Sequence, residues 1–385
     1  MTKGRQKRVL IALGWYDYRV HRGIEKYAQE HEWHLSEDLA REKVIPWGWQ
    51  GHGILAWVAG DDELADFVVH ANKPTVDFSF RRAYLPFTRV LEDHAAAAQL
   101  VAHHFLARGV RNFAFYSDRD NWVYEERGQA FLQALKSAGR ECTWLRWHTS
   151  PSFRKDRMAW QRKRDWLGSE LKRAPKPLGL FGADDGLALA ALETCEAEEI
   201  AVPEDVAIIG AGNSLLAVDA MQTPISSIDG NLELLGYRGA EVLDDLMSGK
   251  PAPKRAIRIP PAGLIARKSS DLMAVEHPGV AKSLRFIWEH FKESVSIEDL
   301  MKVSAMSRSG LHQAFLDQIG RSPGHELQRA RMERAKKLLA ETSTKIDAIA
   351  EMCGYQSSNS FWVAFRRATG MSPKQYRLTF HRLFA

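Results

Sequence analysis

Cysteine is scarce in this chain: Cys142, Cys195 and Cys353 are the only three in 385 residues. The number is odd and no pair stands in a CxxC or Cys/His spacing. Neither a disulfide framework nor a zinc site is supported, no metal or cofactor is expected, and buried free thiols are the reading. Long apolar runs are missing too. VLIALGW and GILAWVAG fall far short of the roughly 18 residues that span a bilayer, so no membrane partner is expected. The N-terminus, MTKGRQKRVLIALG, leads straight into a strand-like run without a small-residue cleavage site. No signal peptide is expected, and the cytoplasm is the default compartment. Catalytic signatures are absent as well: no GxGxxG follows the first strand, and there is no GxxxxGK[ST], GxSxG or HExxH. Together these absences argue against an enzyme.

What is present is a folded, soluble composition, 45% hydrophobic and 26% charged, with chain enough for two or three domains. The net charge is only +5, but it is unevenly placed. From residue 275 onward there are 17 Lys and Arg against 11 Asp and Glu, so the whole positive excess sits at the C-terminal end. A basic C-terminal module meeting a polyanion is the physical implication.

Before it, short apolar runs at 8–13, 53–58, 75–78, 112–116, 178–181 and 206–209 alternate with amphipathic stretches at 21–30, 95–107, 126–138, 187–198 and 231–247. Such alternation predicts α/β architecture with parallel sheets and right-handed crossovers. Ligands of open α/β sheets bind outside the carboxyl ends of the strands, which singles out Trp15, Asp17, Arg19, Asp77, Trp122, Asp185 and Asn213. Aromatic faces beside carboxylate, amide and guanidinium groups suit a small polyhydroxylated ligand. Asp and Asn after strands are also common helix N-caps, and Asp93 is read simply as one.

PLGLFGADDGLALAALETCEAEEIAVPEDVAIIGAGNS resembles the second lobe of the lactose-repressor and periplasmic sugar-binding family. LEDHAAAAQLVAHHFLARGVRNFAFYS and ERGQAF resemble segments of its first-lobe exit and ligand-binding region. The resemblance covers about residues 6–270. It implies a two-lobed sensor and makes Arg127 and Asp185 ligand contacts. The family's Gly-x-Asp-Asn turn reads Gly210-Ala211-Gly212-Asn213 here, keeping Asn213 and replacing the aspartate with glycine.

The C-terminal end contains AFLDQIGRSPGHEL and, fifty residues on, AFRRATGMSPKQYR. Each Gly-x-Ser-Pro closes one helix with glycine and opens the next with a serine cap and proline. Ser296 and Ser357 read as N-caps. Two helix–turn–helix units follow, with a long helix over 323–339 between them. Leu311, Phe315 and Ile319 form one buried stripe, and Phe361, Phe365 and Ala368 the other. Two second helices held this way reach successive major-groove segments, roughly 34 Å apart. LxxxF with Gly-x-Ser-Pro in each copy, ARMERAKKLL, and IAxxCGYxSxxxFxxAF resemble the DNA-binding domain of the arabinose-regulator (AraC) family.

By position the resemblance implies that Ser309, His312 and Gln313 face bases in the first copy and Ser358, Asn359 and Trp362 in the second. Arg366 and Arg367 are expected on phosphates, since most protein–DNA hydrogen bonds go to the backbone. Gln313 and Val363 stand where the family often has arginine.

The expected organisation is a periplasmic-binding-protein-like sensor at 6–270, a linker at 271–279 and an all-α double helix–turn–helix domain at 280–382. Joined in this order, the two resemblances imply a transcription factor, commonly an activator, acting as a homodimer on a double-stranded DNA operator and on RNA polymerase. A pentose, D-xylose foremost, would be the effector. An architectural DNA-binding protein that uses its sensor lobes for dimerisation, and a sugar-modifying enzyme tethered to DNA, are the competing classes.

Overall fold

Runs such as RVLIAL and VAIIGA lack polar alternation, the pattern of strands covered on both faces. The computed structural model describes residues 6–42, 44–60, 62–214, 223–271, 277–293, 295–342, 344–355 and 357–380. Most of the expected linker, 272–276, lies outside these residues. The chain divides into two units, 1–103 with 112–271, and 104–111 with 272–385.

The first unit contains two six-stranded sheets. In chain order the strands are β1 (Arg8–Leu13), β2 (His34–Ser36), β3 (Gly53–Trp57), β4 (Thr75–Asp77), β5 (Thr88–Glu92), β6 (Asn112–Ser117), β7 (Thr143–Arg146), β8 (Leu178–Gly182), β9 (Val206–Ala211), β10 (Ser226–Asp229), β11 (Ile257–Ile259) and β12 (Gly263–Ile265). One sheet has the order β11-β5-β4-β3-β1-β2, the other β12-β10-β9-β8-β6-β7. Every pairing is parallel except β10 with β12. Val9 to Ala12, Ile54 to Ala56 and Val206 to Ile209 are fully buried, as strands between two helical layers require.

Among the described residues the chain passes between the sheets three times: after β5, after β10 and after β11. These crossings are tied together laterally. Asp93 N donates to the Ile259 carbonyl at 2.8 Å and Ala262 N to the Asp229 carbonyl at 2.9 Å.

The apolar runs became strands within one or two residues of expectation. Two helices begin three or four residues earlier than periodicity suggested, at the caps that precede them. Tyr18–Glu30 starts behind its Asp17 cap and Trp122–Ser137 behind Asn121. Asp93 does cap the helix His94–Ala107, accepting from Ala96 N at 2.9 Å. Cys195 and Cys353 are buried as expected, whereas Cys142 is only partly so. Burial pushes the Cys195 thiol up to about 12, which leaves it inert.

The second unit is helical. Pro278–His290 begins earlier than expected, because His277 caps it with Pro278 in its first turn. Ile297–Ser304 starts at Ser296 with a full capping box. Arg308–Ile319 and Ser358–Thr369 are capped by Ser307 and Ser357 and closed by Gly320 and Gly370 in left-handed conformation. Two cores result. Val280, Leu284, Ile287, Leu300, Leu311, Phe315 and Leu327 make one. Met332, Ala335, Leu338, Leu339, Ile349, Ala350, Cys353, Phe361 and Phe365 make the other. The helix Pro323–Glu341 feeds both, Leu327 entering the first and Met332 through Leu339 the second. Ile319, half-buried, packs against the first core and completes that stripe, whereas Ala368 is exposed and leaves the second stripe short. Ala368 lies in the last turn before the Gly370 stop.

Candidate functional site

Strand ends and chain crossings converge on one small crevice in the first unit. Glu92, Asp93, His94, Arg127, Gly212, Gly230, Ile259 and Pro261 contribute to its lining. Arg127 is nine-tenths buried on the helix Trp122–Ser137. Its guanidinium donates to the Ala183 carbonyl, stands 3.4 Å from His94 Nδ1 and 3.8 Å from Glu92 Oε1, and keeps Nε without a hydrogen bond. His94 is 1% exposed and its Nε2 has no hydrogen-bond partner. Burial, reinforced by the Arg127 and Arg258 charges, holds this imidazole well below its usual range, so it is neutral at physiological pH. Burial raises the Glu92 carboxyl, against the Arg127 and Arg19 charges that lower it. The crevice thus offers a cation, a neutral imidazole and a carboxyl, a donor and acceptor set that matches hydroxyl groups.

The remaining expected residues reach this crevice indirectly or not at all. Asp17 is first a helix cap, accepting from Arg19 N at 2.8 Å, and it holds the Arg19 side chain through Nε at 3.0 Å and Nη2 at 2.8 Å. So braced, Arg19 Nη1 donates to the Gly212 carbonyl at 2.6 Å, a bond from the end of β1 to the end of β9. Asp185 is buried; Oδ1 accepts from Ser227 Oγ at 2.5 Å and Oδ2 from Ser214 N at 2.8 Å. Asn213, in left-handed conformation, donates to Asp229 Oδ2 at 3.1 Å and accepts from Arg267 Nη2 at 3.0 Å. Both side chains therefore spend much of their hydrogen-bonding capacity on protein groups.

Gly212 has φ +125, and a Cβ there would stand 3.3 Å from Asp185 Oδ2. Glycine in place of the expected aspartate keeps a second carboxylate from crowding Asp185. Trp122 touches the site through His94, ring centroids 6.0 Å apart. Trp15 is half-exposed and packs on Trp57 at 4.7 Å. Asp77 is fully buried, accepting from Val58 N at 3.2 Å and Ser79 N at 3.0 Å through one oxygen.

Glu92 and His94 were not anticipated. Glu92 ends β5 and His94 follows Asp93 in LEDH, where the strand-end rule applied as it did elsewhere; reading the segment as a cap alone concealed them.

In the second unit Ser309, His312 and Gln313 are exposed on Arg308–Ile319, and Ser358, Asn359, Trp362, Arg366 and Arg367 on Ser358–Thr369. Trp362 is 40% exposed and carries the Arg366 guanidinium over its ring at 5.2 Å. Gln313 donates to Asp317 Oδ1 at 2.8 Å, so its amide is partly committed. Several arginines on and just before the connecting helix are structural. Arg331 donates to the Phe291 and Glu293 carbonyls at 3.0 and 2.9 Å. Arg321 and Arg329 clamp the fully buried Glu326 at 2.5 and 2.6 Å. Burial pushes the Glu326 carboxyl up, but the Arg329 hydrogen bond and both guanidinium charges outweigh it and hold it low.

Residues 102–270 match the family described as a periplasmic binding protein-like domain, and residues 300–379 a helix-turn-helix domain. The chain is similar to the xylose operon regulatory protein of Escherichia coli K12, 28% identical over 376 residues covering 94% of each. The corresponding protein of Haemophilus influenzae is 26% identical over 94% of this chain and 95% of its own length. The solved structure of a xylose-binding transcription activator superposes with a TM-score of 0.59 at 25% identity, covering 97% of this chain and 98% of that one. No helix among the described residues is long and apolar enough to cross a membrane.

Proposed function

Starting from a chain that is an AraC-type DNA-binding transcription regulator with a periplasmic binding protein-like sensor, we propose that it is a pentose-responsive activator with D-xylose as its effector. It is not read as an enzyme. The observation that carries the proposal is the crevice at the chain crossings: Glu92, His94 and Arg127 present unspent polar atoms to one small space. The xylose-related names of the end-to-end relatives point to the sugar.

In this reading residues 6–270 sense, 271–279 link, and 280–382 read DNA. Arg127, Glu92 and His94 bind sugar hydroxyls and Trp122 covers a ring face, while Arg19, Asp17, Asp185 and Asn213 shape the wall around Gly212. Trp15 and Asp77 serve the first sheet rather than the sugar. Ser309, His312 and Gln313, with Ser358, Asn359 and Trp362, face bases; Arg366 and Arg367 hold phosphates. A homodimer on tandem sites, recruiting RNA polymerase, completes the proposal.

The test is a thermal-shift screen of the full chain against pentoses, hexoses and sugar acids. It is followed by affinity for selected DNA sites and by transcription with and without the active sugar. A ligand at 100 times its Kd adds about 2.7 kcal/mol to the domain it binds. D-xylose alone should shift the transition and raise transcription. A shift by another sugar only would replace the effector, and repression on sugar addition would reverse the sign of regulation.

One observation favours a ligand-independent architectural role: Asp185 and Asn213 are already satisfied by protein partners. If no sugar shifts the transition while specific DNA binding persists, that reading replaces the first.

A further inference from the structure

We propose that His21, Glu25 and Glu37 form a binding site for a divalent transition-metal ion of the zinc type, outside the crevice described above and independent of its ligand. His21 and Glu25 are four residues apart on Tyr18–Glu30 and so share a helix face. Glu37 follows β2, which parallel pairing on β1 sets alongside, with Leu10 opposite Ser36. One ligand atom from each of the three residues lies within 4.8 Å of the others. His21 Nε2 is 3.7 Å from Glu25 Oε1 and 3.5 Å from Glu37 Oε1. An ion about 2.0–2.2 Å from nitrogen and carboxylate oxygen in tetrahedral geometry separates its ligands by roughly 3.4 Å, so little movement is required.

The imidazole provides the second, independent observation. His21 is 8% exposed and its Nε2 makes no hydrogen bond. The other ring nitrogen, Nδ1, is 3.0 Å from the Tyr16 hydroxyl. A proton on Nε2 would be a buried donor facing two carboxylates without bonding either. With the proton on Nδ1, donated to the tyrosine oxygen, the Nε2 lone pair points at the carboxylates. That is the outer-shell arrangement typical of metal-bound histidine. Glu25 is half-exposed, which leaves one side open for water as a further ligand. Imidazole with two carboxylates suits zinc, cobalt or manganese and not magnesium. A bound ion would tie the first turn of Tyr18–Glu30 to the segment after β2. The same turn carries Arg19, which reaches the Gly212 carbonyl.

The experiment uses the full, tag-free chain, stripped with chelator and titrated with Co²⁺ as a spectroscopic stand-in for zinc. One equivalent should develop a visible d–d band that Zn²⁺ displaces and Mg²⁺ does not. Glu25→Gln, a surface change that leaves the core alone, should weaken Co²⁺ binding at least tenfold, and Glu37→Gln likewise. Tyr16→Phe, which removes the partner of Nδ1, should cost about tenfold without abolishing the band. Two results overturn the proposal: no band at stoichiometric Co²⁺, or a band whose affinity is unchanged in both glutamine variants. The second would place the ion on others of the chain's 14 histidines.

Discussion

Asp77 sits fully buried at the end of β4, and its carboxylate is half used. One oxygen accepts from Val58 N and Ser79 N; the other has no partner. Two arginines are close by but engaged elsewhere: Arg82 donates to the Val58 carbonyl at 2.9 Å and Arg89 to the carbonyls of Arg82 and Leu85 at 2.7 and 2.9 Å. Burial therefore outweighs the two N–H donors and both cations, and the carboxyl is pushed from 3.8 up to about 7. An acid whose folded value is raised contributes stability that is complete below pH 3.8. The contribution declines as pH rises and is gone above about 7, because the folded state keeps a proton that the unfolded chain releases. Asp77→Asn keeps the shape and the accepting oxygen but cannot ionise. From pH 5 to pH 8.5 the wild type should lose stability relative to the variant over two pH units, at about 1.36 kcal/mol each, or roughly 2.7 kcal/mol. Urea unfolding followed by tryptophan fluorescence reads this, since ten of the twelve tryptophans precede residue 270. A difference between the two proteins that stays flat across that pH range, or a wild type more stable than the variant at pH 8.5, would refute the reasoning. The second result would mean that Arg82 and Arg89 hold the carboxylate as an anion.

Three further outcomes follow from the geometry. Gly212→Asp, which restores the family residue, should destabilise the sensor by about 1–3 kcal/mol from its backbone conformation alone, measured by urea unfolding; a neutral or stabilising effect would remove the steric account of this glycine. Replacing Arg366 and Arg367 with Ala should weaken binding to all DNA sequences and lower the salt slope by up to about two, read from binding isotherms between 50 and 200 mM salt. An unchanged slope would make both arginines solvated bystanders. Glu326→Gln leaves Arg321 and Arg329 without their buried counter-charge and should cost about 3–5 kcal/mol in the helical unit. Because the folded carboxyl is held low, the wild-type advantage should be complete above the ordinary glutamate range and fade as pH falls through the folded value. An advantage independent of pH would show that shape, not charge, is at work.

Central strands were legible because burial on both faces leaves no polar alternation to confuse, as in RVLIAL and VAIIGA. The edge strands HLS, TWLR, IRI and GLI and the short inner strand SSID were not. Three or four residues of mixed character carry no period, and only neighbours already in place define them. The helices Asp62–Ala71 and Ala159–Arg173 escaped for a related reason, the second because AWQRKRDWLGSELKR is mostly polar and buries little. The second helix of each helix–turn–helix was the clearest feature, since cap, buried pair (Leu311 and Phe315, Phe361 and Phe365) and glycine stop agreed in both copies. In the crevice, Arg127 was reached only through a family resemblance, and His94 was concealed by its neighbour's role as a cap. The His21, Glu25 and Glu37 cluster was invisible for a topological reason: two of its members share a helix, but the third arrives through strand pairing that no local spacing encodes.

A sensor can signal only by binding its ligand more tightly in one state than in another. Moving a population from 1:99 to 99:1 takes about 5.5 kcal/mol of such difference. A hydrogen bond to a charged group contributes roughly 1.5–3 kcal/mol net, so two or three state-dependent charged contacts meet that requirement. Asp185 and Asn213 are poor sources for it, because Ser227, Ser214, Asp229 and Arg267 satisfy them without any ligand. Glu92 and Arg127 are better ones. They face each other at 3.8 Å where β5 and the returning β11 cross between the sheets, so their separation depends on how those crossings are bent. Arg19 is spent on Asp17 and the Gly212 carbonyl, so its bond between the sheets biases the lobe equilibrium itself and not the affinity for a ligand. Under the proposed function, the groups able to make ligand affinity depend on lobe geometry are therefore Glu92 and Arg127 at the crossings. The residues at which the family turn is best preserved serve mainly to hold the wall in place.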